Sequence, residues 1–229
     1  RRAERALAAA EVSFQAGELD TAQRLLATAE SSPLDGFQAA RAALLRGHVA
    51  VILSYGNDAG LLLLKAARHL EAFDLELARG AYLTAYGSAM SAGHLGQAAV
   101  FLDICRAIED LPPPQGAPDA KSLLLEGLAR MHTDGRAVAI PILQRAANAV
   151  AQLPEADVLR WGWIAPMASH VIWDSDGSTA IYERQARIVR EAGALVELPV
   201  YLASLALDKV WNGDLAGARL LIAEADTVA

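Results

Sequence analysis

The feature that most limits what this chain can become is a glycine-centred turn that recurs along its whole length. A helix-forming stretch runs into a Gly, and a second helix with Ala and Leu at packing spacing follows. The unit reads Ala16-Gly17-Glu18-Leu19-Asp20-Thr21-Ala22 before Leu25-Leu26-Ala27-Thr28-Ala29, and Gly56-Asn57-Asp58-Ala59 before Leu62-Leu63-Leu64-Lys65-Ala66-Ala67. Further copies centre on Ala92-Gly93-His94-Leu95, Asp134-Gly135-Arg136-Ala137, Asp176-Gly177-Ser178 and Asn212-Gly213-Asp214-Leu215. The glycines at 17, 56, 93, 135, 177 and 213 stand 39, 37, 42, 42 and 36 residues apart. A period of about 20–50 residues means stacked repeats, and this one is longer than the roughly 34 residues of a tetratricopeptide repeat.

Gly serves such a turn because it enters the left-handed region that a Cβ disfavours, and small Ala positions let the paired helices approach. One pair cannot bury its own apolar face, so neighbours must stack and the stack curves around a concave surface. The expected fold is all-α: a right-handed α-α superhelix of about six tetratricopeptide-like helix–turn–helix repeats in one domain, 1–229. Its repeats fall at about 1–32, 36–72, 74–111, 118–153, 156–194 and 197–229. Leu111-Pro112-Pro113-Pro114-Gln115-Gly116-Ala117-Pro118 is a loop, because Pro lacks the helical donor and restricts the residue before it. Pro141 and Pro166 lie in otherwise helical stretches, where each either bends a helix or marks a helix start.

Composition narrows the function. Hydrophobic residues make up 54% and aromatics only 6%, and the apolar share is rich in Ala and Leu, which favour helix over strand. The formal charge of −7 opposes a phosphate backbone, and the densest basic stripe, Arg184, Arg187 and Arg190, is interleaved with Glu183 and Glu191 as on a solvated face. No direct nucleic-acid contact is expected. The single cysteine, Cys105, lies among Phe101, Leu102, Ile104 and Ile108 and reads as a buried structural thiol. No apolar run reaches membrane-spanning length and no secretion signal is visible, so a cytoplasmic protein without a membrane role is expected. Arg1 and Ala229 both fall within helical patterns, an expectation of a piece of a longer protein.

No phosphate loop, dinucleotide turn, nucleophile elbow or two-His zinc helix occurs, so no catalytic residue, metal site or cofactor is expected, and the chain does not read as an enzyme. His94, His132 and His170 are 38 residues apart but differ in phase from their turn glycines, which argues against a shared metal. Glu109-Asp110 and the Asp174/Asp176 pair fall at helix ends, where carboxylates cap. Three of the four Trp, 161, 163 and 173, fall on one helix predicted over about 157–174. There Trp161, Ile164, Ala165, Ala168, Val171 and Ile172 form the packing stripe. Arg160, Trp163, Met167, His170 and Asp174 follow three- and four-residue steps along another face, a candidate ligand or peptide site. Tyr82 and Tyr86, one turn apart on another first helix, are a second candidate. For both faces, packing against a neighbouring repeat is the plainer alternative.

Longer stretches carry a resemblance. They are Asp58-Ala59-Gly60-Leu61-Leu62-Leu63-Leu64-Lys65-Ala66-Ala67-Arg68 with Glu76-Leu77-Ala78-Arg79 and Tyr82-Leu83; Leu123-Leu124-Leu125-Glu126-Gly127-Leu128-Ala129 through Gly135-Arg136-Ala137; and Arg160-Trp161, Trp173-Asp174, Arg184-Gln185 and Arg190-Glu191-Ala192-Gly193-Ala194-Leu195. Across nearly its whole length the chain resembles the helical-repeat middle region of the large ATP-binding transcriptional regulators of the LuxR type. The resemblance implies a sensor or scaffold arm that binds a small-molecule inducer or a protein partner in a concave groove. It would be coupled to neighbouring ATPase and helix–turn–helix modules of a parent chain. ATP and DNA binding carry over to no residue here, since neither the phosphate loop nor the DNA-reading helix is present. The alternative from another class is a structural spacer or an arm for self-association. Ala-rich composition, with Arg in place of Lys, suggests a GC-rich bacterial genome.

Overall fold

The computed structural model describes residues 2–53, 58–93, 98–194 and 197–228. All regular elements among them are helical, and the helices pack in adjacent pairs. The turn residues Gly56-Asn57 and His94-Leu95, and Leu195 of the resemblance, lie outside the described residues. No described helix is long and apolar enough to cross a membrane.

The chain divides into two compact units, Arg1–Pro112 and Pro113–Ala229, and the division falls inside the Pro-rich loop. The first unit holds α1 (Arg2–Gln15), α2 (Leu19–Glu30), α3 (Gly36–Leu53), α4 (Ala59–Leu70), α5 (Leu75–Ala92) and α6 (Ala98–Glu109). Each of these helices packs on the next, and α1 on α3, α3 on α5 and α4 on α6 as well. Leu7 and Ala10 of α1, Leu26 and Ala29 of α2, and Ala42 and Leu45 of α3 form one core cluster. Three helices therefore share what two could not enclose. The second unit holds α7 (Ala120–Thr133), α8 (Arg136–Val150), α9 (Glu155–Trp161), a 3₁₀ turn (Gly162–Ile164), α10 (Met167–Val171), α11 (Ser175–Glu191), α12 (Leu198–Trp211) and α13 (Leu215–Val228). There α7 packs on α8, α10 on α7, α8 and α11, α11 on α9 and α12, and α12 on α13.

Helix starts are set by aspartates. The carboxylates of Asp35, Asp74, Asp119, Asp174 and Asp214 each accept from the backbone N–H three residues on, at 2.8–3.0 Å, which satisfies a donor the first helical turn leaves open. Several turns are set by residues in the left-handed region. Gly17, Gly93, Gly135 and Gly213 have φ of 78°, 52°, 88° and 82°. At Gly17, Gly193 and Gly213 the same two bonds close the helix end: the glycine N–H donates to a carbonyl three residues back, and the next N–H to one five back.

Gly177 departs from the expected pattern. It lies in the first turn of α11, where a Cβ would stand 2.0 Å from Asp174 Oδ2. The left-handed turn position of that pair is taken instead by Trp173, with φ 62° and the same two closing bonds, Trp173 N to His170 O and Asp174 N to Ser169 O. A residue with a Cβ pays roughly 1–2 kcal/mol for this conformation.

The helix expected over 157–174 is broken. Gly162–Ile164 tightens into the 3₁₀ turn and Pro166 stands immediately before α10, because its ring cannot continue a helix through that position. Pro166 thus marks a helix start, whereas Pro141 lies inside α8. Trp161, Ile164, Ala165 and Ala168 of the expected stripe are buried, Val171 and Ile172 are half-buried, and Trp173 is 83% exposed.

Two glycines bring paired helices together. A Cβ on Gly47 of α3 would stand 2.6 Å from Leu63 Cδ2 of α4, and a Cβ on Gly127 of α7 would stand 2.6 Å from Leu143 Cδ2 of α8. Both leucines are fully buried. Gly80 in α5 has nothing within 4 Å of the same point. Gly80→Ala should therefore raise stability by about 0.5–1 kcal/mol through helix propensity, while Gly127→Ala should lower it because the core leucine must move. Urea denaturation of the two variants checks this, and stabilisation by both would show that the α7–α8 contact is not close.

Candidate functional site

The second unit brings together polar groups that lie far apart in the chain. Asp208 of α12 is buried at 2% exposure, yet its carboxylate meets no Lys or Arg within ion-pairing distance among the described residues. It is held by neutral donors: Ser178 Oγ at 3.0 Å and Thr179 Oγ1 at 2.6 Å from α11, and Asn212 Nδ2 at 3.2 Å from the end of its own helix. Asn212 also donates to Thr179 Oγ1 at 3.2 Å, and its Oδ1 accepts from Ser175 Oγ at 2.7 Å. The network ties the start of α11 to the end of α12. A helix with Leu198, Tyr201, Leu202 and Leu205 on its buried face carries Asp208 three residues further along that face.

Facing this carboxylate is His170 of α10. Its Nε2 is buried without a hydrogen-bond partner and stands 3.9 Å from Asp208 Oδ1. The ring lies against Tyr182 of α11 and Trp211 of α12, with centroids 5.4 and 5.3 Å away. Burial lowers the His170 pKa and the nearby Asp208 opposes that shift, so the neutral imidazole is the form the fold favours. Burial, and then Asp208, push the Tyr182 hydroxyl up, which keeps it protonated. Beside the cluster an open groove between α11 and α12 is lined by Asp176, Thr179, Glu183, Lys209, Asn212 and Asp214. Lys209 Nζ pairs with Glu183 Oε1 at 2.7 Å across it.

No family model matches the chain, and comparison with curated proteins and with solved structures finds no similar protein.

The expected site residues divide. His170 belongs to the cluster just described, and Asp174 caps α11 at its edge. Arg160 is exposed on α9, Trp163 is half-buried in the 3₁₀ turn and Met167 is half-buried at the start of α10. They do not continue one helical face with His170 and Asp174, because the break at Pro166 resets the register. Tyr82 and Tyr86 are fully buried in the first unit, Tyr82 donating to Glu71 and Tyr86 packed against Phe101. They are core residues and line no open surface. Each arginine of the basic stripe has a protein partner: Arg184 donates to Leu153 O, Arg187 pairs with Glu191 and Arg190 with Glu224. Cys105 is buried and its thiol is pushed up to about 11, mainly by burial. His132 is exposed on α7, and His94 lies outside the described residues. No described group of three or more His, Cys, Asp or Glu is placed to hold a metal ion.

Asp208, Tyr182, Trp211 and Asn212 were not singled out by the sequence. The signal that points to Asp208 is a carboxylate on the apolar stripe of a helix, with Trp and Asn three and four residues further on.

Asp208→Ala would strand the Thr179 hydroxyl, while Ser178 keeps Ser175 O and Asn212 keeps Thr179 Oγ1 as acceptors, and a loss of about 1–3 kcal/mol is expected in chemical denaturation. Stability should also fall on acidification. A histidine whose folded pKa is depressed binds its proton more readily when unfolded, so its contribution is present above about pH 6.5 and is lost as pH drops towards the folded value. His170 has this sign, and so does His48, lowered to about 4 by burial. Unfolding followed between pH 7 and 4 should slope accordingly, and His170→Gln and His48→Leu should each remove part of the slope.

Proposed function

We propose that this chain is a cytoplasmic sensor or scaffold region of a LuxR-type transcriptional regulator, binding an inducer or protein partner and passing that event to ATP- and DNA-binding modules of a parent protein. Within each unit the helix pairs then act as tetratricopeptide-like repeats of a right-handed superhelix. The observation that carries the binding role is the α10–α12 cluster: a buried carboxylate held only by neutral donors, beneath an imidazole whose Nε2 has no hydrogen-bond partner and a 65% exposed Trp211. Groups of this kind are costly in a core that only has to pack, and they gain when a ligand completes them. The cluster joins α10, α11 and α12, so a ligand that prefers one arrangement of those helices shifts the equilibrium between arrangements by its difference in affinity.

A spacer or self-association arm is the second possibility. It is favoured by α13, where Leu215, Leu220 and Ile222 are 60%, 74% and 49% exposed.

Thermal denaturation of the chain against fractionated metabolite pools distinguishes the two. An inducer at about a hundredfold its dissociation constant adds about 2.7 kcal/mol, and that gain should vanish in His170→Ala while the helix content stays. Absence of stabilisation by every pool, together with concentration-dependent dimerisation in sedimentation, would replace the sensor role with the arm.

A further inference from the structure

Trp173 breaks a rule that the other described residues keep. Where a helix end is closed by the same two backbone bonds, glycine holds the left-handed position at 17, 193 and 213, and tryptophan holds it at 173. The indole is 83% exposed, so no burial compensates the unfavourable backbone. Strain of this kind, kept without a packing return, points to a use outside the fold.

The next turn also carries an exposed indole, although there glycine, Gly213, holds the left-handed position. Trp211 ends α12 and is 65% exposed. The two turns lie side by side, since Ser175 Oγ reaches Asn212 Oδ1 at 2.7 Å. In both, an aspartate follows and caps the next helix through a glycine N–H, Asp174 to Gly177 and Asp214 to Gly217. Asp176 is exposed between them and has no ion-pair partner among the described residues. The one lysine of the adjoining groove, Lys209, is already engaged by Glu183.

We propose that this turn edge of the last two helix pairs, with Trp173 and Trp211 set among Asp174, Asp176 and Asp214, docks an Arg- and Lys-rich peptide segment of a partner protein. Charge complementarity selects the occupant. Guanidinium and ammonium groups stack on indole faces and pair with carboxylates, and Trp is the strongest of the aromatic partners. The same carboxylates repel nucleic acid and anionic lipid, either of which exposed indoles alone could attract. The indoles sit on successive turns near an open groove lined by Asp176, Asn212 and Asp214, which suits an extended segment better than a single small cation. This names a partner class for the binding role proposed above, and it rests on that role.

Isothermal titration of the 229-residue chain with a tryptophan-free peptide of alternating Arg and Gly tests it. Saturable binding is expected, weakened by high salt, with no binding of a Glu-Gly peptide of equal length. Trp173→Asn suits the left-handed backbone and Asp176→Asn changes an exposed side chain, so both should keep the helix content. Each should weaken binding roughly fivefold. Three results would overturn the proposal: no saturable binding, binding indifferent to both variants, or binding of phosphatidylserine vesicles in place of the peptide. A metabolite pool that stabilises the chain while the peptide fails to bind would defeat this proposal and leave the sensor role standing.

Discussion

Leu63 lies against Gly47 and Leu143 against Gly127 so closely that a Cβ on either glycine would stand 2.6 Å from the leucine, and each contact joins the two helices of one pair. Such proximity explains the rest of the architecture. Helices this close bury a narrow stripe of Ala and Leu but leave their outer faces apolar, and only a neighbouring helix can cover those. In the first unit Leu7, Leu26 and Leu45 come from three successive helices for that reason. Turns must then be short, which places left-handed residues at helix ends and aspartates at helix starts.

The second unit shows what happens where the pattern is interrupted. Pro166 and the 3₁₀ turn break one long helix into short pieces, and side chains from elsewhere in the unit add hydrogen bonds to its backbone carbonyls. Gln185 Nε2 donates to Gly162 O at 2.8 Å and Tyr201 Oη to Val158 O at 2.6 Å. In the same stretch α10 presents His170 to Asp208 and Trp211. The polar cluster thus lies where the fold is least like a plain stack.

Much of this was legible in the chain itself. Glycine spacing, Ala and Leu periodicity and the Pro-rich loop announced paired helices and a break near residue 112. Of the carboxylates expected at helix ends, Asp174 caps α11. Gly177 misled, because a glycine in an Asp-Ser-Asp-Gly-Ser stretch looks like a turn. It is needed instead close to the Asp174 cap, and Trp173 makes the turn. Tyr82 and Tyr86 looked like a groove face at one-turn spacing, yet the same spacing describes a stripe facing the core, and periodicity alone does not say which side is inside.

The sequence by itself determined the all-helical class and most of the paired helices, because propensity and turn chemistry act within a few residues. Only the tertiary structure decided which polar groups share a site. Asp208 is fixed by hydroxyls 29 and 30 residues away and faced by an imidazole on another helix, a meeting that depends on packing angles no local pattern encodes. It also decided that Trp173 points to solvent, since a lone indole in a helical pattern is as ready to be buried as exposed until its neighbours are in place.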